Sequence, residues 1–273
     1  MTAISLSDHI SDRNFVSLPF YRDGRPLESG VRWGMTVRKA GSMRFRWNET
    51  NRNRVSVLKE ICGEKEAVPL ELIHSKTVYA ITSASDTDGK TGDGMISTNP
   101  SLVPVVTVAD CMPLFLYEEK TGVFGVFHSG WRGTGIIAEA IALAEKRYGA
   151  RPEDICVAIG PHIHDCCYTV DEERARYFSE NFTSDCIRWE SGKDGSPQYH
   201  LSLEKANLAL LARSNIREEN IVLAKDCTSC TQDAGGNYPF GSFRRQAAFA
   251  PGSLTAEERS KMMTVQAAFC GWL

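Results

Sequence analysis

Three residues of this chain carry side chains that could meet on one metal ion or share one proton: His74 in "LELIHSKTVYAI", Cys111 in "VADCMPLFLY" and His128 in "GVFGVFHSGWRGTG". Imidazole nitrogen and thiolate sulfur are ordinary zinc ligands, and three protein ligands leave a fourth tetrahedral position for water or substrate. The steps from 74 to 111 to 128 are too long for a zinc finger and fit three strand ends that each deliver one ligand. Without metal, the same residues make a Cys–His pair, with His128 as base generating a Cys111 thiolate that attacks an acyl or amide carbon. Spacing does not choose between these readings. A third leaves Cys111 as a small buried hydrophobe and the histidines as structural.

Other residues could bind an anion. "YPFGSFRRQ" places Ser242, Arg244 and Arg245 beside aromatics and glycine, a set able to fork onto phosphate or carboxylate, or else a solvated basic loop. Trp131 and Arg132 in "GWRGTG" could contact a base or an anion, although this stretch is neither a Walker loop nor a dinucleotide fingerprint. Cys227 and Cys230 form a C-x-x-C, but no second close pair follows to complete a zinc ribbon and no thioredoxin-like context surrounds it. In "GPHIHDCCYTV" the vicinal Cys166 and Cys167 sit beside His162, His164 and Asp165; the loop is metal-capable on paper, and a surface or packing role is the preferred reading.

The elements that must position these residues are legible in outline. Apolar runs at 103–109, 114–117 and 122–127 read as a group of adjacent strands, with "EEKTG" as the hairpin between the last two. Residues 134–149 carry apolar positions at helical spacing, with Thr134 as cap and Gly149 as stop. Further helices are expected at 171–182 and 201–215, and short strands at 155–160 and 220–226. The polar stretch 190–198 reads as a surface loop. His74 falls inside a strand-like run. Irregular alternation of strands and helices predicts an α+β chain, with mixed β-sheets between helices rather than a regular doubly wound parallel sheet.

Composition narrows the partners. A chain of 273 residues with 42% hydrophobic and 24% charged residues and a net charge of -3 has no wholesale attraction for nucleic acid or anionic membrane. No apolar run reaches the roughly 18 to 20 residues that cross a bilayer, and "MTAISLSDHISDRN" lacks a signal peptide's pattern, so a cytoplasmic location is expected. Nine cysteines, an odd number in a chain of this length, point to reduced thiols. The expected partner is a small molecule.

The segments "GMTVRKAG", "NRNRVSVLKEICG", "IHSKTV", "GDGMIS", "VADCMPLFLY", "GVFHSGWRGTG", "AIGPHIHDCCYTV", "DCTSC" and "SFRRQ" resemble, in content and order, the YfiH/LACC1 family of laccase-domain proteins and zinc-dependent purine nucleoside phosphorylases. The resemblance spans most of the chain and implies one catalytic domain over 1–273, an α/β sandwich related to cysteine hydrolases, and a zinc site at His74, Cys111 and His128. It implies phosphorolysis of purine nucleosides, methylthioadenosine included, and deamination of adenosine. Purine nucleosides and phosphate would then be the partners. Asp110 could orient the ligands or relay protons, and Arg38, Arg132, Arg244 and Arg245 could hold phosphate. Copper ranks below zinc, since multicopper oxidation of phenols wants more than six histidines. A metal-free amidase acting on cell-wall precursors and a non-enzymatic metal-binding module are the alternatives. The chain departs from the family pattern at Leu72, where glutamine is common, at Val265, where arginine is usual, at His162–Asp165, and in the extra stretch 246–265.

Overall fold

The computed structural model describes residues 1–192, 194–247 and 250–273. Two sheets dominate it. The larger has seven strands in the order Thr2–Ile4, Ile221–Ala224, Cys156–Ile159, Met112–Glu118, Val123–Ser129, Gly94–Ser97 and Val78–Ala80. The smaller has five: Phe15–Pro19, Val31–Thr36, Gln266–Trp272, Leu102–Val108 and Glu66–Pro69. Both mix parallel and antiparallel pairs. A three-stranded sheet forms from Thr169–Val170, Pro197–Leu201 and Ile187–Ser191, so both ends of the stretch expected as a surface loop at 190–198 are paired strand, Glu190 with Gln198 and Ser191 with Pro197.

Side-chain alternation along the strands builds the layers. In Met112–Glu118, Phe115 and Tyr117 face the five-stranded sheet and pack with Trp33, Val106 and Ala268, whereas Met112, Leu114 and Leu116 face the other way. That second face is covered by the helices Ile136–Tyr148, Glu172–Asn181 and Leu203–Arg213, through Ile137, Ala140, Phe178 and Leu203 among others. The outer face of the five-stranded sheet is covered by the helix Arg52–Cys62, which buries Val57, Leu58 and Ile61 against Val103, Val105 and Phe269. The result is helix, sheet, sheet, helix: the expected α+β arrangement of mixed sheets between helices.

Three expectations about the elements need correction. The strand expected at 103–109 does not neighbour the hairpin strands in their sheet; Leu102–Val108 pairs with Gln266–Trp272 in the smaller sheet, and the chain crosses between sheets at Ala109–Cys111. Periodicity reports that a strand is buried, not which sheet it joins. His74 lies on no strand but in a bend before Val78–Ala80, with a left-handed φ of 60°. Thr134 does not cap the helix: its hydroxyl donates to the carbonyl of Gly130 (3.0 Å), and Gly135 is the N-cap residue. Gly149 does end that helix in a left-handed conformation, as a C-cap glycine should. The hairpin joining Met112–Glu118 to Val123–Ser129 is also as expected.

Candidate metal centre and cavity

The local fold brings His74, Cys111 and His128 together, with one ligand atom from each lying within 4.8 Å of the others. Each arrives differently. His128 stands near the end of Val123–Ser129, opposite Pro113 in the hairpin register. Cys111 ends the crossing between the sheets, immediately after Asp110, which has a φ of 76°. His74 and Asp110 are two of the four described non-glycine residues with positive φ, a conformation that costs energy and persists only where the surroundings impose it.

At His74 the imposing group is Asp93. This fully buried carboxylate accepts from the backbone amides of His74 (2.9 Å) and Ser75 (2.6 Å) and from the Ser75 hydroxyl (2.7 Å), and its Oδ1 pairs with His128 Nδ1 at 2.9 Å. Burial pushes its carboxyl up, but His128 and Ser75 outweigh burial and hold it below the usual aspartate range. An ionised carboxylate only accepts, so Nδ1 carries a proton and Nε2 faces the cluster, where it would give up its own proton to ligate an ion, the orientation that second partners impose on metal-binding histidines. Burial opposes ionisation of Cys111, yet His128 and His74 lower its thiol well below the ordinary value. Despite burial, Cys111 and Asp93 raise the proton affinity of His128.

The donor set fits a zinc-type ion, and the backbone leaves room beside it. A Cβ placed on Gly130 would lie 2.9 Å from Cys111 Sγ, 3.5 Å from a His74 ring carbon and 3.7 Å from His128 Cε1. Glycine there keeps the space between the three ligands clear. The cluster opens on a cavity of about 440 Å³ whose wall includes Asp110, Trp131, Tyr168, Arg174, Phe243 and Arg244. A smaller hollow of about 180 Å³ meets the same ligands on another side. Leu72 and Val265, both departures from the family pattern, line that smaller hollow together. Met263, from the extra stretch, lines both.

The remaining sequence candidates separate into groups. Asp110 is at the cavity, with one carboxylate oxygen accepting from the Thr228 hydroxyl and the other from the Arg244 amide, both at 2.6 Å. Trp131 and Arg244 also line it, and the Arg244 guanidinium is held by Thr169 through the side-chain oxygen (2.6 Å) and the carbonyl (2.9 Å). Arg132 is exposed and lies over the Trp131 ring at 4.9 Å. Arg245 turns away: its guanidinium donates to the carbonyls of Thr228, Ser229 and Phe240. Ser242 is fully buried and its hydroxyl accepts from the Arg245 amide (3.1 Å). Arg38 lines a separate depression with Asp233 and Tyr238.

Sequence reasoning missed Asp93 and Arg174. Arg174 lies over the Trp131 ring at 4.3 Å, lines the cavity, and has a buried Nε without a hydrogen-bond partner. Asp93 was readable only as an acid between two glycines in "GDGMIS", and Arg174 only as one of several charges on an amphipathic helix.

The sequence profile of the multi-copper polyphenol oxidoreductase laccase family matches residues 46–254. The chain belongs to this family. A relative from Geobacillus stearothermophilus named purine nucleoside phosphorylase YlmD is 28% identical over 236 residues, covering 77% of this chain and 85% of the relative. A purine nucleoside phosphorylase of Clostridium acetobutylicum is 30% identical over 199 residues, covering 72% and 78%. A protein named adenosine deaminase RL5, from an unknown prokaryotic organism, is 33% identical over 142 residues, half of each chain (50% and 53%). Among solved structures, YlmD from G. stearothermophilus superposes with a TM-score of 0.74 at 25% identity, over 96% of this chain and 97% of that one. The laccase-domain family is therefore the one that the sequence resemblance names, and its solved members share this fold. No helix among the described residues is long and apolar enough to cross a membrane.

Proposed function

We propose that this laccase-family chain is a single-domain, cytoplasmic, zinc-dependent purine nucleoside phosphorylase that also deaminates adenosine and cleaves methylthioadenosine. The observation that carries the reading is the convergence of His74, Cys111 and His128, backed by Asp93 and kept clear by Gly130, on the wall of a cavity with aromatic and cationic sides. Its size suits a nucleoside. The names of the relatives, purine nucleoside phosphorylase and adenosine deaminase, support the substrate class.

His74, Cys111 and His128 would hold zinc, which when bound supplies a Lewis acid and lowers the pKa of a ligated water. The protein's own contributions follow from the geometry. Trp131, Tyr168 and Phe243 offer flat apolar surface to a purine, while Arg174 and Arg244 place positive charge where a phosphate or a developing negative charge would lie. Asp110 positions rather than reacts: its two oxygens fasten the Thr228 and Arg244 segments around Cys111. Arg132, exposed over the Trp131 ring, would meet an anion on its way in rather than hold it in the cavity. The Arg245 guanidinium and the Ser242 hydroxyl are taken up by hydrogen bonds within the protein and Arg38 lines a separate depression, so none of the three is assigned a substrate contact.

The test is elemental analysis for zinc and copper on the same sample assayed for base release from adenosine, inosine and methylthioadenosine, with and without phosphate. Zinc-dependent, phosphate-stimulated release supports the proposal; unchanged turnover by metal-stripped protein overturns it. One observation favours a second reading: the lowered Cys111 thiol beside His128 is the ground state of a Cys–His nucleophile. Covalent trapping of Cys111 by an acyl substrate in metal-free protein would support that amidase.

A further inference from the structure

The C-x-x-C that lacks a second pair in the sequence has one in space. We infer that Cys166, Cys167, Cys227 and Cys230 form a second, structural metal site, separate from the His74–Cys111–His128 centre, with four thiolates for a zinc-type ion. The four sulfurs all lie within 4.8 Å of one another. The separations are those of ligands around one ion: Cys166 Sγ is 3.8 Å from Cys167 Sγ and 3.7 Å from Cys230 Sγ. A tetrahedron with metal–sulfur bonds of about 2.3 Å has sulfur–sulfur edges of about 3.8 Å, whereas a disulfide needs about 2.0 Å.

Two further features separate this cluster from cysteines used as packing. Buried cysteine behaves as a small hydrophobe, but Cys166 and Cys230 are exposed. Cys227 Sγ is buried and accepts a hydrogen bond from the backbone amide of His164 at 3.4 Å, so the sulfur is treated as an acceptor, which suits a ligating thiolate. The loops that meet here otherwise share little backbone pairing: one parallel bridge between His162 and Cys227, with the Thr228 amide donating to the His162 carbonyl (3.0 Å). A four-sulfur ion would staple them. That staple bears on the cavity, because one segment supplies Tyr168, which lines it, and Thr169, which holds Arg244, and the other supplies Thr228, which holds Asp110.

The experiment uses the full chain with His74→Ala and His128→Ala combined, which removes the first centre and leaves all four cysteines of the second. The protein is stripped, reduced, reloaded with Co²⁺ or Zn²⁺ alone and freed of excess ion. The expected result is one equivalent of retained metal, a thiolate-to-cobalt charge-transfer band, and X-ray absorption showing four sulfur neighbours. Cys227→Ser with Cys230→Ser added should abolish the band. No retained metal, or metal with only nitrogen and oxygen neighbours, overturns the inference; the latter would point to the nearby His162, His164 and Glu204, whose ligand atoms also lie within 4.8 Å of one another. Sulfur coordination in the histidine variant decides the matter even if the cysteine variant fails to fold.

Discussion

Asp93 holds two of the three residues of the centre, His74 by its backbone amide and His128 by its ring. Asp93→Asn keeps the shape but replaces a carboxylate with an amide that cannot accept from all four of its present donors. Loss of such a partner typically weakens metal binding by about 10 to 100-fold; competition with a chromogenic chelator should show that loss while far-ultraviolet circular dichroism stays unchanged. The arginines make a contrasting pair. Arg174→Ala should raise the KM for phosphate by roughly tenfold or more, the worth of a charge-assisted contact of about 1.5 to 3 kcal/mol, with little change in melting temperature. Arg245→Ala should do the reverse, because its guanidinium holds three carbonyls rather than facing the cavity. Residue type made His74, Cys111 and His128 visible in the sequence. The same reasoning put Arg245 beside Arg244 as an anion contact, because adjacent residues look equivalent until the backbone sends their side chains in different directions.

At the scale of elements, the hairpin 112–129 sets the site by its register: a slip of one residue would turn His128 to the opposite face of the sheet. The register is pinned at the far end, where the buried carboxylate of Glu118 accepts from the amides of Lys120 and Thr121 (both 2.9 Å) and from the Thr121 hydroxyl (2.6 Å). Glu118→Ala should cost about 1 to 3 kcal/mol in urea unfolding by removing the charge-assisted hydrogen bonds that close the turn, with metal content per folded molecule nearly unchanged. This hairpin was legible because its turn chemistry and apolar runs are local. The bend at His74 was not: it follows from hydrogen bonds to an aspartate 19 residues away, while the local sequence reads as strand.

Across the whole molecule, the centre lies where the chain passes from one sheet to the other, so sheet-to-sheet packing and ligand geometry are coupled. Phe115 is fully buried in that interface and packs on Trp33 with ring centroids 5.2 Å apart. Phe115→Ala should destabilise the fold by about 3 to 5 kcal/mol, the range for emptying an aromatic site in a core, measured as a lower urea midpoint. The layer class was readable from periodicity and element order, since amphipathic helices and buried strands have few ways to cover one another. Strand partners were not, and neither was the meeting of Cys166 and Cys167 with Cys227 and Cys230, because sequence spacing holds no record of which distant loops fold side by side.

The sharing of one carboxylate by His74 and His128 also bears on how an ion comes and goes. The hydrogen bonds of Asp93 lie wholly within the protein, so the His128 ring and the backbone at His74 are already ordered when the chain folds. Capture then requires little rearrangement beyond shedding water. An ion bound there would be held more tightly for it, since ordering that is complete before binding no longer opposes binding.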